Sequence, residues 1–376
     1  MQPRIHFAWK EPLDGLGHRT GVSLHSHTSH SRETLDFIPR FGAHHRLLGE
    51  ALKVYERRYR RIHGHELDYH SAWWTPPLGP REALRVERNQ IESAGLGALV
   101  SISDHDNMEA PALLRLLHEG REAPLSTEWS VPYRGAVLHI GVHNLPPRRA
   151  ESRMEAMTAF TARPSERELE GILEWLTESP ETLIVFNHPY WDEKGVGQRR
   201  HDEIAETFLF RYRRYLHALE LNGLRPWSEN RRTIALSSTC RIPYISGGDR
   251  HGLEPNAIVN VTNAATFAEF VEEIRRDRQS DVVFMNSYRE PLRLRVLQTM
   301  WDIVRPYPDF PEGRREWADR VFYRLSDTNV QPLSAIWPGG GPRIVKQFLA
   351  VMHLVDIRHV RSALRLALDE RQEFSL

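Results

Sequence analysis

The sequence predicts an α/β fold built on a largely parallel sheet, closed or doubly wound, and two observations carry that expectation. From Gly21 to about Ser287, short apolar runs alternate with longer segments of helical period, the pattern left when strands return to one sheet through crossover helices. The polar groups with ligand chemistry gather just past several of those apolar runs, where α/β sheets place their sites. The 376 residues suffice for one barrel of roughly 250 residues with about a hundred to spare.

Strands are expected near Gly21–His25, Ala98–Ser103, Leu125–Val131, Ala136–Val142, Thr182–Asn187, Ala218–Leu221, Tyr244–Gly247 and Val282–Asn286. Helical spacing falls over Arg81–Ser93, Ala110–Glu119, Ser165–Glu178, His201–Tyr215, Ser228–Ser238 and Ala265–Arg276. Ser165 with Glu168 reads as a capping box, each side chain answering the other's free backbone N–H. Two segments break the alternation. Thr34–Pro80 holds a basic helix candidate, ALKVYERRYRRIHG, then the proline-rich HSAWWTPPLGP, and is expected as an insertion over the mouth of the sheet. From Glu290 onward the apolar spacing is helical with a PGGGP break, which predicts a helical tail. The expected domains are therefore residues 1–289, with 34–80 as a cap-like insert, and a C-terminal extension over 290–376.

Lys+Arg and Asp+Glu both number 50, so no basic field argues for nucleic acid or an anionic membrane. No stretch approaches the roughly 18 apolar residues of a membrane span, and the N-terminus lacks a signal pattern, so a cytoplasmic, soluble protein is expected. The single cysteine, Cys240, rules out an internal disulfide and Cys-rich metal sites. Any metal must be held by histidines and carboxylates. Histidine is abundant, 20 of 376 residues, and much of it is clustered.

Five motifs follow apolar runs. In GVSLHSHTSHS, His25 and His27 lie two apart at a strand end, so both rings can face one side. LVSISDHDN ends in Asp104-His105-Asp106; His105 reads as a ligand, while Asp106 or Asn107 can equally cap the next helix. Glu128 and His139 sit on adjacent apolar runs. A carboxylate among apolar neighbours must meet a cation or donor, and a metal or a surface arginine would serve. TLIVFNHPY delivers His188 ahead of Pro189, which keeps the preceding residue extended. YISGGDRHG offers Asp249 and His251 from one glycine-led turn.

In that order, LHSHTSHS, ISDHDN, TEWS with His139, NHP and GGDRH resemble the motif series of the polymerase and histidinol phosphatase (PHP) superfamily, over about Val22 to Gly252. The resemblance implies a distorted (β/α)7 barrel and two or three divalent ions, usually manganese, iron or zinc. His25, His27, His105, Glu128 as the bridging carboxylate, His139, His188, Asp249 and His251 match the ligand positions. The pattern departs where many members carry aspartate and this chain has Arg32, or histidine and this chain has Glu33. Glu33 is the expected substitute, with His30 as the alternative, and the third ion is left open. His44, His45, His63, His65 and His70 are expected to be helix or loop residues without a chemical role.

The function implied is hydrolysis of a phosphate ester by a metal-bridging hydroxide, with the ions clamping the phosphoryl oxygens. Arg250, beside the ligands, is a candidate to offset developing charge, or an ordinary surface arginine; Asp106 or a ligand-shell histidine is the candidate acid for the leaving group. The expected substrate is a phosphorylated small molecule or nucleotide. A phosphodiesterase or exonuclease is the second reading, because Trp73 and Trp74 beside an arginine-rich helix could stack bases, although such a pair more often packs a lid; nucleic acid is not favoured. A non-catalytic metal-binding module is the third. The oligomeric state is not legible in the sequence.

Overall fold

The apolar runs of the sequence become the strands of two five-stranded sheets in a computed structural model. It describes residues 3–35, 38, 46–64, 66, 68–310, 314–326, 328–337, 339, 341, 343–368 and 374. His44, His45 and His65, and Pro338, Gly340 and Pro342 of the tail break, lie outside the described residues.

In chain order the strands are β1 (Arg4–Phe7), β2 (Thr20–Ser23), β3 (Glu33–Thr34), β4 (Ala72–Trp74), β5 (Gly97–Val100), β6 (Thr127–Tyr133), β7 (Ala136–His143), β8 (Leu183–Asn187), β9 (Ala218–Asn222), β10 (Tyr244–Gly247), β11 (Ile258–Thr262), β12 (Asp281–Phe284), β13 (Val321–Ser326) and β14 (Asn329–Pro332). One sheet runs β1-β12-β11-β2-β5, the second β10-β9-β8-β7-β6, and a third β14-β13-β4-β3. Helices Pro80–Ser93, Ala150–Ala162, Glu166–Thr177, Gln198–Tyr212 and Trp227–Cys240 connect the strands.

The sheets are mixed rather than largely parallel. β2 pairs β5, β8 pairs β9, and β9 pairs β10 in parallel, as crossover helices require. β6 and β7, however, form a hairpin closed by Arg134 and Gly135 at φ 51° and 89°. Two successive positive φ values give the tight primed turn that matches strand twist, so β7 runs antiparallel to β6 and to β8. β1 and β11 lack the long apolar run that marks the other strands and were not expected; β11 is antiparallel to both β12 and β2. The helix Ala150–Ala162 also escaped the sequence pattern, because AESRMEAMTAFTA spreads its apolar groups around the axis. Ser165 is an N-cap as expected, but its side chain makes no capping hydrogen bond.

Alternation sorts each strand into an apolar and a polar end. Ile184, Phe186 and Leu219 pack outward with Phe208, Tyr212 and Leu173 of the helices, whereas Leu183, Val185, Ala218 and Ile245 join Val22, Leu24 and Phe270 in a second cluster. On that second face the next positions along the strands are Asn187, Glu220, Asn222 and Gly247. Apolar packing thus fills one end and polar groups crowd the C-terminal ends of β8, β9 and β10.

The two five-stranded sheets touch along two lines. Glu128 N–H donates to Asp104 O (3.1 Å) and Asp106 N–H to Glu128 O (2.9 Å), joining β6 to the segment after β5. Gly248 N–H donates to Leu24 O (3.0 Å) and Asp249 N–H to His25 O (2.7 Å), joining the segments after β10 and β2.

The tail is not wholly helical. Helix Leu292–Val304 packs near the Gly252 loop, but β13 then pairs with β14 on one side and with β4 on the other, and β4 pairs with β3 of the insertion. Insertion and tail therefore share one antiparallel sheet. Among the described residues, no helix is long and apolar enough to cross a membrane.

Candidate metal centre

The site is assembled at strand ends, around one buried carboxylate. Glu128, on β6 and fully buried, reaches inward between the sheets. Its Oε2 lies 2.8 Å from His25 Nε2, 3.2 Å from His27 Nε2 and 3.4 Å from His105 Nε2. Its Oε1 lies 3.1 Å from His188 Nε2 and 3.5 Å from His139 Nδ1, and accepts a hydrogen bond from Asn187 Nδ2 at 2.9 Å. Five imidazoles thus divide between the two oxygens of one carboxylate.

Asp249 adds a second anion: its Oδ1 is 3.7 Å from His25 Nε2, 3.6 Å from His27 Nε2 and 3.5 Å from His251 Nδ1. Glu33 brings a third from β3, with His251 Nε2 at 3.3 Å, His105 Nε2 at 3.4 Å and His27 Nδ1 at 3.8 Å. The Ser31 hydroxyl donates to Glu33 at 2.6 Å and holds that carboxylate in place. All nine residues expected as ligands are therefore brought into one cluster. His30 is turned away and pairs with Glu109 at 2.9 Å.

The backbone is bent to achieve this. His25, His188 and Asp249 sit at φ 62°, 24° and 55°, and Asp104 pins the loop after β2 by accepting the Thr28 N–H (2.5 Å) and hydroxyl (2.7 Å).

Burial disfavours charge on His25, His27, His139, Glu33, Glu128 and Asp249, and the mutual attraction of rings and carboxylates overrides it. His27 is pushed up to about 10 because Asp249 and Glu128 outweigh its desolvation. His139 rises to about 9 through Glu128 and Glu193, again against burial, and His25 is raised well above the usual range by Glu128 and Glu220. The same rings hold Glu128 and Asp249 well below the ordinary carboxylate range despite burial. His188 moves the other way: burial lowers it in spite of Glu128.

Imidazole nitrogens and carboxylate oxygens so concentrated fit divalent transition metals, which answer the negative charge while the rings stay neutral. Four overlapping groups could each hold an ion: His27, Glu33, His105 and His251; His25, His27 and Glu128; His25, His188 and Glu220; and His105, Glu128 and His139. His27 Nε2 is buried and, although 3.2 Å from Glu128 Oε2 and 3.6 Å from Asp249 Oδ1, meets neither in hydrogen-bond geometry, which suits a nitrogen that an ion could take up.

The residues expected as catalytic are placed differently. Arg250 is buried, and its guanidinium donates to Glu87 (2.8 Å), Gly252 O (2.8 Å) and His27 O (3.1 Å), bracing the two ligand loops rather than facing them. Asp106, at φ 51°, accepts the Ser130 N–H at 2.8 Å, and burial raises its pKa.

Sequence reasoning missed four residues. Glu220 and Asn222 occupy alternate positions of β9, Glu220 lying 2.5 Å from His25 Nδ1; an acidic residue amid ALELN carries the same signal that singled out Glu128. Glu193 contacts His139 Nε2 at 2.8 Å from a polar loop with no distinguishing pattern. Arg225 lies over the Trp191 ring (3.7 Å to its centroid) with Nη2 3.5 Å from Asp249 Oδ2, and its buried Nε lacks a hydrogen-bond partner.

No family model matches the chain, and no curated protein matches it. Among solved structures it is similar in part to an amidohydrolase from Chromobacterium violaceum (14% identity, 47% of this chain and 83% of that one, TM-score 0.35). A protein from Bifidobacterium adolescentis assigned as a metal-dependent phosphoesterase aligns at 14% identity over 53% of this chain and 91% of that one, with a TM-score of 0.35. PsfC from Pseudomonas syringae aligns at 17% identity over 59% and 88%, with a TM-score of 0.39.

Proposed function

We propose that this chain is a metal-dependent hydrolase of phosphate esters, related to the PHP superfamily, acting on a phosphorylated small molecule or nucleotide with two or three divalent ions. The observation that carries the reading is the division of five imidazoles between the two oxygens of Glu128, the arrangement suited to a carboxylate shared by two ions. His25, His27, His105 and Asp249 gather toward Oε2, and His139 and His188 toward Oε1. Glu33 and His251, with His27 and His105, offer a further set. In the fold belonging to this reading, β5, β2, β10, β9, β8, β7 and β6 follow one another as a distorted (β/α)7 barrel. The hydrogen bonds along both lines of contact between the sheets support that order.

Bound divalent ions supply Lewis-acid polarisation of a phosphoryl oxygen and lower the pKa of water. The chain's own groups do the rest. Arg225, stacked and incompletely partnered, is placed to take a phosphoryl oxygen in the role first considered for Arg250. Asp106, whose ionised form burial disfavours, is the candidate group to protonate the leaving group. Trp74, 5.7 Å from the His251 ring, offers a wall for the organic part of the substrate.

The test is to strip the protein with a chelator, restore manganese, iron(II) or zinc, and assay chromogenic phosphomonoester, phosphodiester and carboxamide substrates. Ion-dependent monoester turnover is expected. Turnover of the amide alone, or binding of ions with every phosphate ester inert, would overturn the proposal; preference for the diester would favour the phosphodiesterase reading.

A further inference from the structure

Glu220 is the buried carboxylate beside the cluster that the proposed chemistry does not use. It lies on β9 between Leu219 and Leu221 and is 2% exposed. Its Oε1 sits 2.5 Å from His25 Nδ1, while Oε2 accepts the His188 backbone N–H at 2.8 Å and Asn222 Nδ2 at 3.0 Å. Space for it comes from Gly247 of the neighbouring strand, where an added Cβ would fall 1.5 Å from Glu220 Oε1. Any side chain there would displace the carboxylate.

The consequence lies on the far side of the His25 ring. Nε2 faces Glu128 Oε2 at 2.8 Å and Asp249 Oδ1 at 3.7 Å. A neutral imidazole carries one N–H and one lone pair, so a carboxylate fixed against Nδ1 keeps the proton there and turns the Nε2 lone pair inward. The same carboxylate holds the His188 backbone, which sits at φ 24°.

We propose that Glu220 is a positioning residue that sets the tautomer and ring plane of His25 and seats His188, so that both present a donor nitrogen to the metal ions. This rests on the metal-dependent reading above. Direct ligation by Glu220 is the competing possibility, since its oxygen lies near both His25 and His188 donor atoms. Both carboxylate oxygens are, however, already engaged by N–H groups, and a partner that orients a ligand histidine in this way typically accounts for about 10–100-fold in metal affinity.

The test compares the full-length wild type with Glu220→Gln, which keeps the volume but removes the charge, and Glu220→Asp, which keeps the charge but withdraws it from the ring. Each is titrated with zinc alone and with manganese alone by calorimetry, and with cobalt(II) by visible absorption, beside a melting curve of the ion-free protein. The expected result is affinity lowered about 10–100-fold with the number of bound equivalents unchanged and the cobalt bands shifted. Unchanged affinity in folded variants overturns the inference while leaving the metal site standing. Loss of a whole equivalent also overturns it, making Glu220 a ligand. A wild type that binds none of the three ions brings down the metal reading itself. Should neither variant fold, ¹⁵N spectra of wild-type His25 with zinc decide: a protonated Nδ1 with Nε2 bound supports the role, and the reverse tautomer overturns it.

Discussion

His25, Asp106, His188 and Asp249 all adopt positive φ, a conformation that costs a non-glycine residue on the order of 1–3 kcal/mol. Their concentration at one cluster shows that the surrounding hydrogen bonds impose the geometry for the sake of the side chains. Glu128 is the residue on which that geometry converges. Glu128→Gln should therefore lower ion-dependent hydrolysis by more than about a hundredfold, exceeding the loss typical of an outer partner, and reduce metal content while circular dichroism stays native. Undiminished turnover in that variant would remove Glu128 from the site. His217 gives a prediction independent of the metal. Its Nδ1 accepts the Ile184 N–H at 2.9 Å, and burial, helped by Arg275, lowers its pKa to about 3. The unfolded value is near 6.5, so this residue contributes stability that is complete above that pH and is lost as pH falls from about 6.5 toward 3. His217→Asn keeps an acceptor but cannot charge, and its melting temperature should fall less steeply than that of the wild type between pH 7 and pH 4.5; parallel curves would sink the argument.

At the scale of elements, β4 separates two tryptophans that the sequence could treat only as a pair. Successive strand residues face opposite sides: Trp73 stacks on Phe322 (5.8 Å) beneath Arg32 and Arg324, whereas Trp74 approaches His251. Trp73→Ala should lower the melting temperature and reduce turnover of all substrates alike. Trp74→Ala should spare the melting temperature and raise KM for a bulky phosphate ester more than for a small one, because only positioning energy is lost. Identical kinetic and melting profiles for the two variants would remove the assignment of faces. The insertion was legible as a break in the alternation, and so was the tail. Their union was not, since β3 and β4 are two and three residues long and acquire strand character only from pairing with each other and, through β4, with β13.

For the whole molecule, that union makes the tail part of the site. Glu33 stands on β3, β3 pairs β4, and β4 pairs β13; Asp302 of the tail helix also accepts the Leu253 N–H at 3.0 Å, next to the His251 loop. A chain cut after residue 289 should therefore bind fewer equivalents of zinc or manganese than the full chain and melt at lower temperature. Elemental analysis and a melting curve check this, and a truncated protein with full metal content would show that residues 290–376 are dispensable to the centre. In the full chain, more than one equivalent of metal is expected, and added ion should raise the melting temperature through its preference for the folded state.

The sequence by itself determined which strands lead to the site and most of what they deliver. A histidine or carboxylate directly after an apolar run is a local pattern, and His25, His27, His105, Glu128, His139, His188, Asp249 and His251 could all be read that way. It also marked Glu33, by its place in the motif series. Only the tertiary structure decided which groups face the cluster and which brace it. Arg250 and Asp249 are neighbours in sequence, yet one is bonded to Glu87 behind the loop and the other faces His25, His27 and His251, because a turn at positive φ sends consecutive side chains in different directions. Glu220, Glu193 and Arg225 enter the centre from strands and loops distant in sequence, and the sheet joining insertion to tail spans nearly 300 positions, from Glu33 to Pro332. Such pairings depend on loop closure and on burial shared among remote segments, and no local pattern records them.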